Sequence, residues 1–302
     1  MKKTVDKSDI KRIFSPLPER ANKGQMGRVL VVCGSYDESG LAMCGAAYFA
    51  AKAAYRTGAG IVEIFTPREN YSSLASLVPE AVFSLYGYDE SESDVCDRLA
   101  LEMSKSDAVV IGCGLGKSRI SRVLVSSALR HAECPLVVDA DALNILSDEP
   151  KLWDKLSSEQ RGRTVITPHP GEMSRLCGIG ITDILADTVG VARSFAAEKG
   201  TICLLKDHNT VISDGEVVYI NRSGNPGMAS AGMGDVLAGI IGSIMARARL
   251  RGNNCDYLLC AAVGAYLHGA AGDAAAGKLG QYSLLASDLL AEIPAVIGRF
   301  FG

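Results

Sequence analysis

Three observations in this 302-residue chain predict an α/β fold with a central, mostly parallel sheet flanked by helices. Short apolar runs recur along the chain. Glycine follows several of them. Longer stretches with helical spacing lie between. No composition shift marks an internal boundary, so the expectation is one domain over 1–302, with about 1–20 as an N-terminal extension.

In chain order the expected strands are RVLVVCG (28–34), GIVEIFT (60–66), AVFSLY (81–86), DAVVIGCG (107–114), CPLVVDAD (134–141), RTVITPH (163–169) and TICLLK (201–206). A last pair, TVISDG and EVVYIN, meets at Asp214-Gly215, a hairpin signal, and is expected at the sheet edge. Helical spacing covers Leu41–Thr57 and Thr182–Lys199, and the chain closes with Gly234–Arg249, Cys255–Ala276 and Ser287–Phe300. Within the first closing helix Val236, Leu237, Ile240, Ile241, Ile244 and Met245 form an apolar stripe. Asp235, Gly239 and Gly242 share another face, where close packing behind the carboxylate is expected.

Composition narrows the function classes. Apolar residues are 48% and charged residues 22%, with 32 glycines, which is enough apolar material for a large core. A net charge of −3 supplies no field to gather nucleic acid or an anionic membrane. Nine cysteines fall singly and never as CxxC, which argues against a disulfide framework or a zinc site and for a reducing cytoplasm. The first residues, MKKTVDKSDIKRIF, are broken by charge before an apolar run develops, so no signal peptide is expected, and no stretch is apolar enough to span a bilayer.

The chemistry concentrates in NPGMASAGMGD (225–235). Small residues ahead of an apolar helix leave backbone N–H groups without intrahelical acceptors, at the positive end of the helix dipole. That is a site for a phosphate-like anion. The carboxylate of Asp235 would repel such an anion, and it makes sense as a base that takes a proton from an attacking hydroxyl. It also reads equally as a first-turn aspartate that stabilises the helix. Other candidates follow strands, where α/β sheets hold ligands. They are Asp139, Asp141 and Asn144 in VVDADALN, with Asp141 expected to cap a helix, and His169 with Glu172 in TPHPGEM. Lys206 in LLKDHNT and the turn GCGLG (112–116) complete the set. Each has a structural alternative: a solvated strand end for Lys206, a hydrogen-bonding turn histidine for His169, a tight turn for the glycines. His268 and Asp273 are expected in a polar network and His131 at a helix end.

NPGMASAGMGDVLAG resembles the anion-hole segment of ribokinase-like small-molecule kinases, and specifically that of the nucleotide-dependent NAD(P)H-hydrate dehydratases. The resemblance continues in family order through KGQMGRVLVVCGS, GAAYFAAKAAYRTGAGIVEIFTP, VVIGCGLGKS, VVDADALNIL, TPHPGEMSRL and LLKDHNTVISDG, from about Lys23 to the last helix. It implies a ribokinase-like fold. It also implies repair of hydrated NADH and NADPH, with ADP or ATP phosphorylating the ring hydroxyl in the presence of Mg2+ and phosphate then leaving. Hydroxide is a poor leaving group near neutral pH and phosphate a good one. Carried over, Asp235 is the base and Ala231, Gly232, Met233 and Gly234 supply the anion hole. Ala46, Gly114, Gly116, His169 and Asp235 contact the hydrated dinucleotide, while Lys206, Asp207, His208, Asn209, Thr210 and Gly234 contact the nucleotide. Glu172 is a candidate to orient a magnesium-bound water.

The sequence departs from the family pattern at Asp207 and Ala231, commonly glycine, at Met233, usually threonine, and at Cys113, usually proline. The resemblance further implies a homo-oligomer, a tetramer by analogy, and an epimerase on a separate polypeptide. The rival readings are a vitamin-precursor alcohol kinase of the same fold, which would stop at the phosphate ester, and a nucleotide-binding module without catalysis.

Overall fold

A computed structural model describes residues 2–17, 19–37, 40–252 and 255–300. The two ends of the expected 1–302 domain therefore lie outside the described residues. The strands are β1 (Lys2–Lys3), β2 (Arg28–Val32), β3 (Ile61–Pro67), β4 (Val82–Tyr86), β5 (Ala108–Ile111), β6 (Leu136–Val138), β7 (Thr164–Ile166), β8 (Ile202–Leu205), β9 (Thr210–Ser213) and β10 (Val218–Asn221). They form one sheet in the order β1-β10-β9-β8-β7-β6-β5-β2-β3-β4. It is parallel except around β9, which runs against both β8 and β10. The chain leaves β2 for β3 and β4 on one side and returns to β5 on the other. Such a reversal opens a crevice at the strands' carboxyl ends.

The helices are α1 (Lys7–Ile13), α2 (Cys44–Thr57), α3 (Tyr71–Leu77), α4 (Glu92–Ser104), α5 (Arg119–His131), α6 (Ala140–Asp148), α7 (Ser158–Arg161), α8 (Pro170–Cys177), α9 (Ile181–Ala186), α10 (Thr188–Lys199), α11 (Met233–Leu250), α12 (Tyr257–Leu279) and α13 (Ala286–Gly298). Strand residues alternate between two cores. Val29, Val31, Val110 and Leu204 face α2, α11, α12 and α13. Leu30, Val32, Val109 and Leu205 face the side built by α4, α5, α6 and α10. Strands buried on both faces read as continuous apolar runs, as these do.

The small residues of α11 do allow close packing. A Cβ on Gly239 would lie 2.9 Å from both the carbonyl carbon of Ala50 and the Cβ of Ala53 on α2, and Gly242 faces Val110 of β5. Smallness behind Asp235 thus brings α11 against both a helix and the sheet.

Four expectations change. The hairpin β9–β10 is not the outermost element, because β1 pairs in parallel along β10, Lys2 with Val218 and Lys3 with Tyr219. The expected N-terminal extension is likewise built in: Asp6 caps α1, and Ile10 and Phe14 are buried. Leu41–Met43 precede α2 instead of belonging to it, since Ala42 is held in a bridge to Tyr36. The span Thr182–Lys199 is two helices. Asp187 leaves the helical region (φ −144°) and spends its carboxylate on the N–H of Gly190, 2.8 Å away, which starts α10 afresh.

Candidate active site

The carboxyl ends of β5 to β8 converge on the N-terminus of α11. Gly232 lets the chain enter that helix. It holds a φ of 88°, and a Cβ there would lie 2.7 Å from the Phe49 ring. No side chain caps α11. The N–H groups of Gly232, Gly234 and Asp235 take no acceptor among the described residues, while Met233 makes only a long 3.5 Å bond to the Ser230 carbonyl. Free donors at a helix N-terminus are what an anion hole requires, and, being backbone, they do not depend on the side chain at Met233.

Lys206, just after β8, points its ammonium at this terminus. Nζ lies 2.9 Å from Asp139 Oδ1 and 3.7 Å from Glu172 Oε2, and a Cβ on Gly234 would come within 3.5 Å of it. Burial works against the lysine's charge, but Asp139 and Glu172 outweigh it and hold the pKa above its ordinary value. Asp139, just after β6, also accepts from Thr167 Oγ1 at 2.7 Å and from the Cys113 thiol at 3.8 Å. The residue after it, Ala140, has a φ of 48°, and among the described residues no other non-glycine residue has positive φ. The backbone is strained where it presents this carboxylate.

Asp235 faces the same cluster. One ligand atom from each of Cys113, Asp139 and Asp235 lies within 4.8 Å of the other two. Burial first, and then the charge of Asp139, push the Asp235 carboxyl up to about 7, against the opposing pull of Cys113 and Lys206. Two carboxylates this close resist ionising together. The Cys113 thiol, beside Cys33 and fully buried, is raised well above its ordinary value and stays protonated.

His169 caps α8. Its Nδ1 accepts from the N–H groups of Gly171 (3.0 Å) and Glu172 (3.4 Å), and Glu172 Oε2 returns a bond to the His169 N–H at 2.8 Å. Burial lowers the His169 pKa despite Glu172, so the ring is neutral near pH 7, with Nε2 3.5 Å from Glu172 Oε1. His268 on α12 belongs to the polar network expected of it. Its Nε2–H donates to the Met233 carbonyl at 2.9 Å, and burial brings its pKa down to about 4.

A cleft of about 760 Å³ opens beside this cluster, lined by His169, Lys206, Asp207, His208, Thr210, Met233 and Gly234 among others. Asn209 is not among its lining residues; it bonds His208 instead, 2.8 Å from Nε2. Ala231 and Gly232 stand outside the lining as well. Ala46 and Gly114 do not line the cleft; they meet each other, a Cβ on Gly114 lying 2.7 Å from that of Ala46. Gly116 donates to Asp141 Oδ2 at 2.8 Å.

That bond corrects one expectation. Asp141 is not the cap of α6; Asp139 occupies the cap position, and Asp141 sits in the first turn, tying the glycine turn to the helix and accepting from Asn144 at 3.3 Å. Asp139, whose role the sequence leaves open, pairs with Lys206 beside Asp235 and is held by Thr167, a residue the sequence does not single out. The signal was present for both, since each directly follows a strand as Lys206 does.

The donors define what metal would fit. A protonated thiol is a poor ligand for a hard cation, and Lys206 already neutralises Asp139. Asp139 and Asp235 therefore suit a magnesium ion held through water and nucleotide phosphates. Glu172 is committed to the cap of α8 and to Lys206.

Comparison with known proteins agrees with this architecture. A family model for NAD(P)H-hydrate dehydratases matches residues 29–295. The chain is 40% identical over 291 residues to the bifunctional NAD(P)H-hydrate repair enzyme Nnr of Moorella thermoacetica, covering 94% of this chain and 52% of that one. The chain thus spans about half the length of its bifunctional relatives. It is 34% identical over 290 residues to the ADP-dependent (S)-NAD(P)H-hydrate dehydratase of Xanthomonas campestris pv. campestris, covering 94% of this chain and 93% of that protein. Among solved structures, the ADP/ATP-dependent NAD(P)H-hydrate dehydratase of Bacillus subtilis, co-crystallized with ATP and Mg2+, matches with a TM-score of 0.80 and 27% identity over 98% of this chain and 97% of that one. The fold is ribokinase-like, and with a family match over most of its length the chain belongs to the NAD(P)H-hydrate dehydratase family.

Proposed function

We propose that this chain uses an adenine nucleotide to dehydrate the S epimers of hydrated NADH and NADPH. The observation that carries the reading is the meeting of Asp235, with a carboxyl raised to about 7, with free N–H groups and the Lys206 ammonium at one helix terminus. Asp235 takes the proton of the ring hydroxyl, whose oxygen attacks the terminal phosphoryl of the nucleotide and displaces the remaining nucleotide. The amides of Gly232 and Gly234 and the Lys206 ammonium bear the charge on the transferring group. The ring nitrogen's lone pair then expels phosphate, and loss of the neighbouring C–H proton restores the dihydropyridine.

The nucleotide lies in the cleft along Lys206, Asp207, His208 and Thr210, and the hydrated ring approaches from Ala46 and Gly114. His169 offers Nε2–H at the cleft wall. Magnesium, where it accompanies the phosphates, supplies charge neutralisation, and Asp139 and Asp235 are the groups placed to hold its waters. ADP is the assigned donor, following the standalone relatives named for it. We assign a homo-oligomeric state to the enzyme, a tetramer by analogy.

The deciding experiment incubates the protein with hydrated NADH and ADP, or ATP in parallel, and follows recovery of nicotinamide absorbance together with phosphate release. Recovery of NADH with stoichiometric phosphate is expected, the R epimer being consumed only as fast as it epimerises spontaneously. A stable phosphate ester would make the protein an alcohol kinase instead.

A further inference from the structure

The far end of α11 carries a second feature, unconnected with the reaction. Arg247 is partly buried, with its guanidinium carbon 5.6 Å from the centre of the Phe14 ring. Other half-buried arginines of this chain are satisfied: Arg122 by Glu149 at 2.6 Å, Arg161 by the carbonyls of Trp153 and Lys199, Arg249 by the carbonyl of Ser106. Arg247 has neither a carboxylate nor a carbonyl partner among the described residues. Burial lowers its pKa, and the like charge of Arg251 lowers it further.

Both arginines line a cavity of about 380 Å³ together with Ser15, Gln25 and Met26, and no acidic residue lines it among the described residues. Arg251 is held in place by the Arg12 carbonyl at 2.8 Å and Ser15 Oγ at 2.9 Å. A last-turn cation does favour the helix dipole. That explains the charge of Arg247 but not a guanidinium that has no hydrogen-bond partner among the described residues and shares a cavity with a second arginine, an arrangement that an anion would complete. The guanidinium fork suits a tetrahedral oxyanion.

We propose that Arg247 and Arg251 form a binding site for a small oxyanion of the phosphate or sulfate class, at the end of α11 opposite the active site. At 1.5 Å per residue, the run of α11 from Gly234 to Arg247 separates the two by about 20 Å.

Two measurements on the intact protein test it. Crystals soaked in selenate should show an anomalous peak between Arg247 and Arg251, separate from any peak at the N-terminus of α11. Sulfate at constant ionic strength should raise Tm relative to chloride in the wild type and in Lys206→Met, which disables the active-site anion position. The increment should fall by about half or more in Arg251→Met, an exposed position whose loss does not threaten folding, and in Arg247→Met. No selenate peak, or an equal sulfate increment in all four proteins, overturns the proposal. So does a structure or sedimentation experiment in which a carboxylate from a second copy occupies Arg247.

Discussion

The two ends of the sheet bury charge in opposite ways. At the amino ends, Glu63 on β3 is 2% exposed and is met directly by the guanidinium of Arg28 on β2, which also lies 3.6 Å from Glu102. Burial raises the Glu63 pKa, and the arginine's hydrogen bond is the main force against it. At the carboxyl ends Lys206 pairs with Asp139, and Asp235, which has no ion-pair partner among the described residues, stands beside that second carboxylate and the Cys113 thiol. The same ingredients, buried acid and nearby base, make a structural pair where each charge is answered and a reactive group where one is not.

The comparison breaks first at Asp235. Asp235→Asn should lower kcat about a thousandfold, within the range for losing a general base, with nucleotide affinity nearly intact by calorimetry. No turnover in the wild type or the variant, with nucleotide affinity kept in both, would leave a binding module. In the wild type, kcat/KM should fall about tenfold per pH unit below pH 7, because a carboxyl raised to about 7 must lose its proton to act.

Next is Lys206→Met, expected to cost about a hundredfold in kcat/KM by removing a charge from the transferring phosphoryl, read from initial rates. Arg28→Met should do the reverse: about 2 kcal/mol of stability lost, seen as a lower urea midpoint, because Glu63 is left buried without its partner, with kcat within about twofold of wild type.

The smallest effect is on stability against pH. Between the ordinary carboxyl value of 3.8 and about 7, folded Asp235 keeps a proton that the unfolded chain has lost. Stability therefore falls as pH rises through that window, and the penalty is complete above it. Asp235→Asn should remove the slope, raising Tm by a few degrees at pH 8 and leaving it unchanged at pH 4. Equal shifts at both pH values would mean that Asp235 is not perturbed in the fold.

Much of the site was readable because its parts are local. The small-residue run into α11 follows from chain entry and capping, and Lys206, His169 and the Gly112–Gly116 turn each directly follow an apolar run. Asp187 was readable in principle as a cap but hidden inside an unbroken helical pattern. Asp141 went astray because capping preference describes a residue type, whereas the turn at Gly112 and the positive φ of Ala140 moved the cap back by two residues.

By itself the sequence determined the alternation of strands and helices, the two-faced burial of the sheet and the open amide terminus of α11. Each depends on side-chain periodicity and backbone chemistry over a few residues. Only the tertiary structure decided that Asp139 would neutralise Lys206, 67 positions away, that a second carboxylate would stand beside Asp235, that β1 would cover the hairpin, and that Arg247 would be partly buried with no hydrogen-bond acceptor among the described residues. Those outcomes depend on which strands become neighbours, a long-range choice made by burying the whole sheet at once.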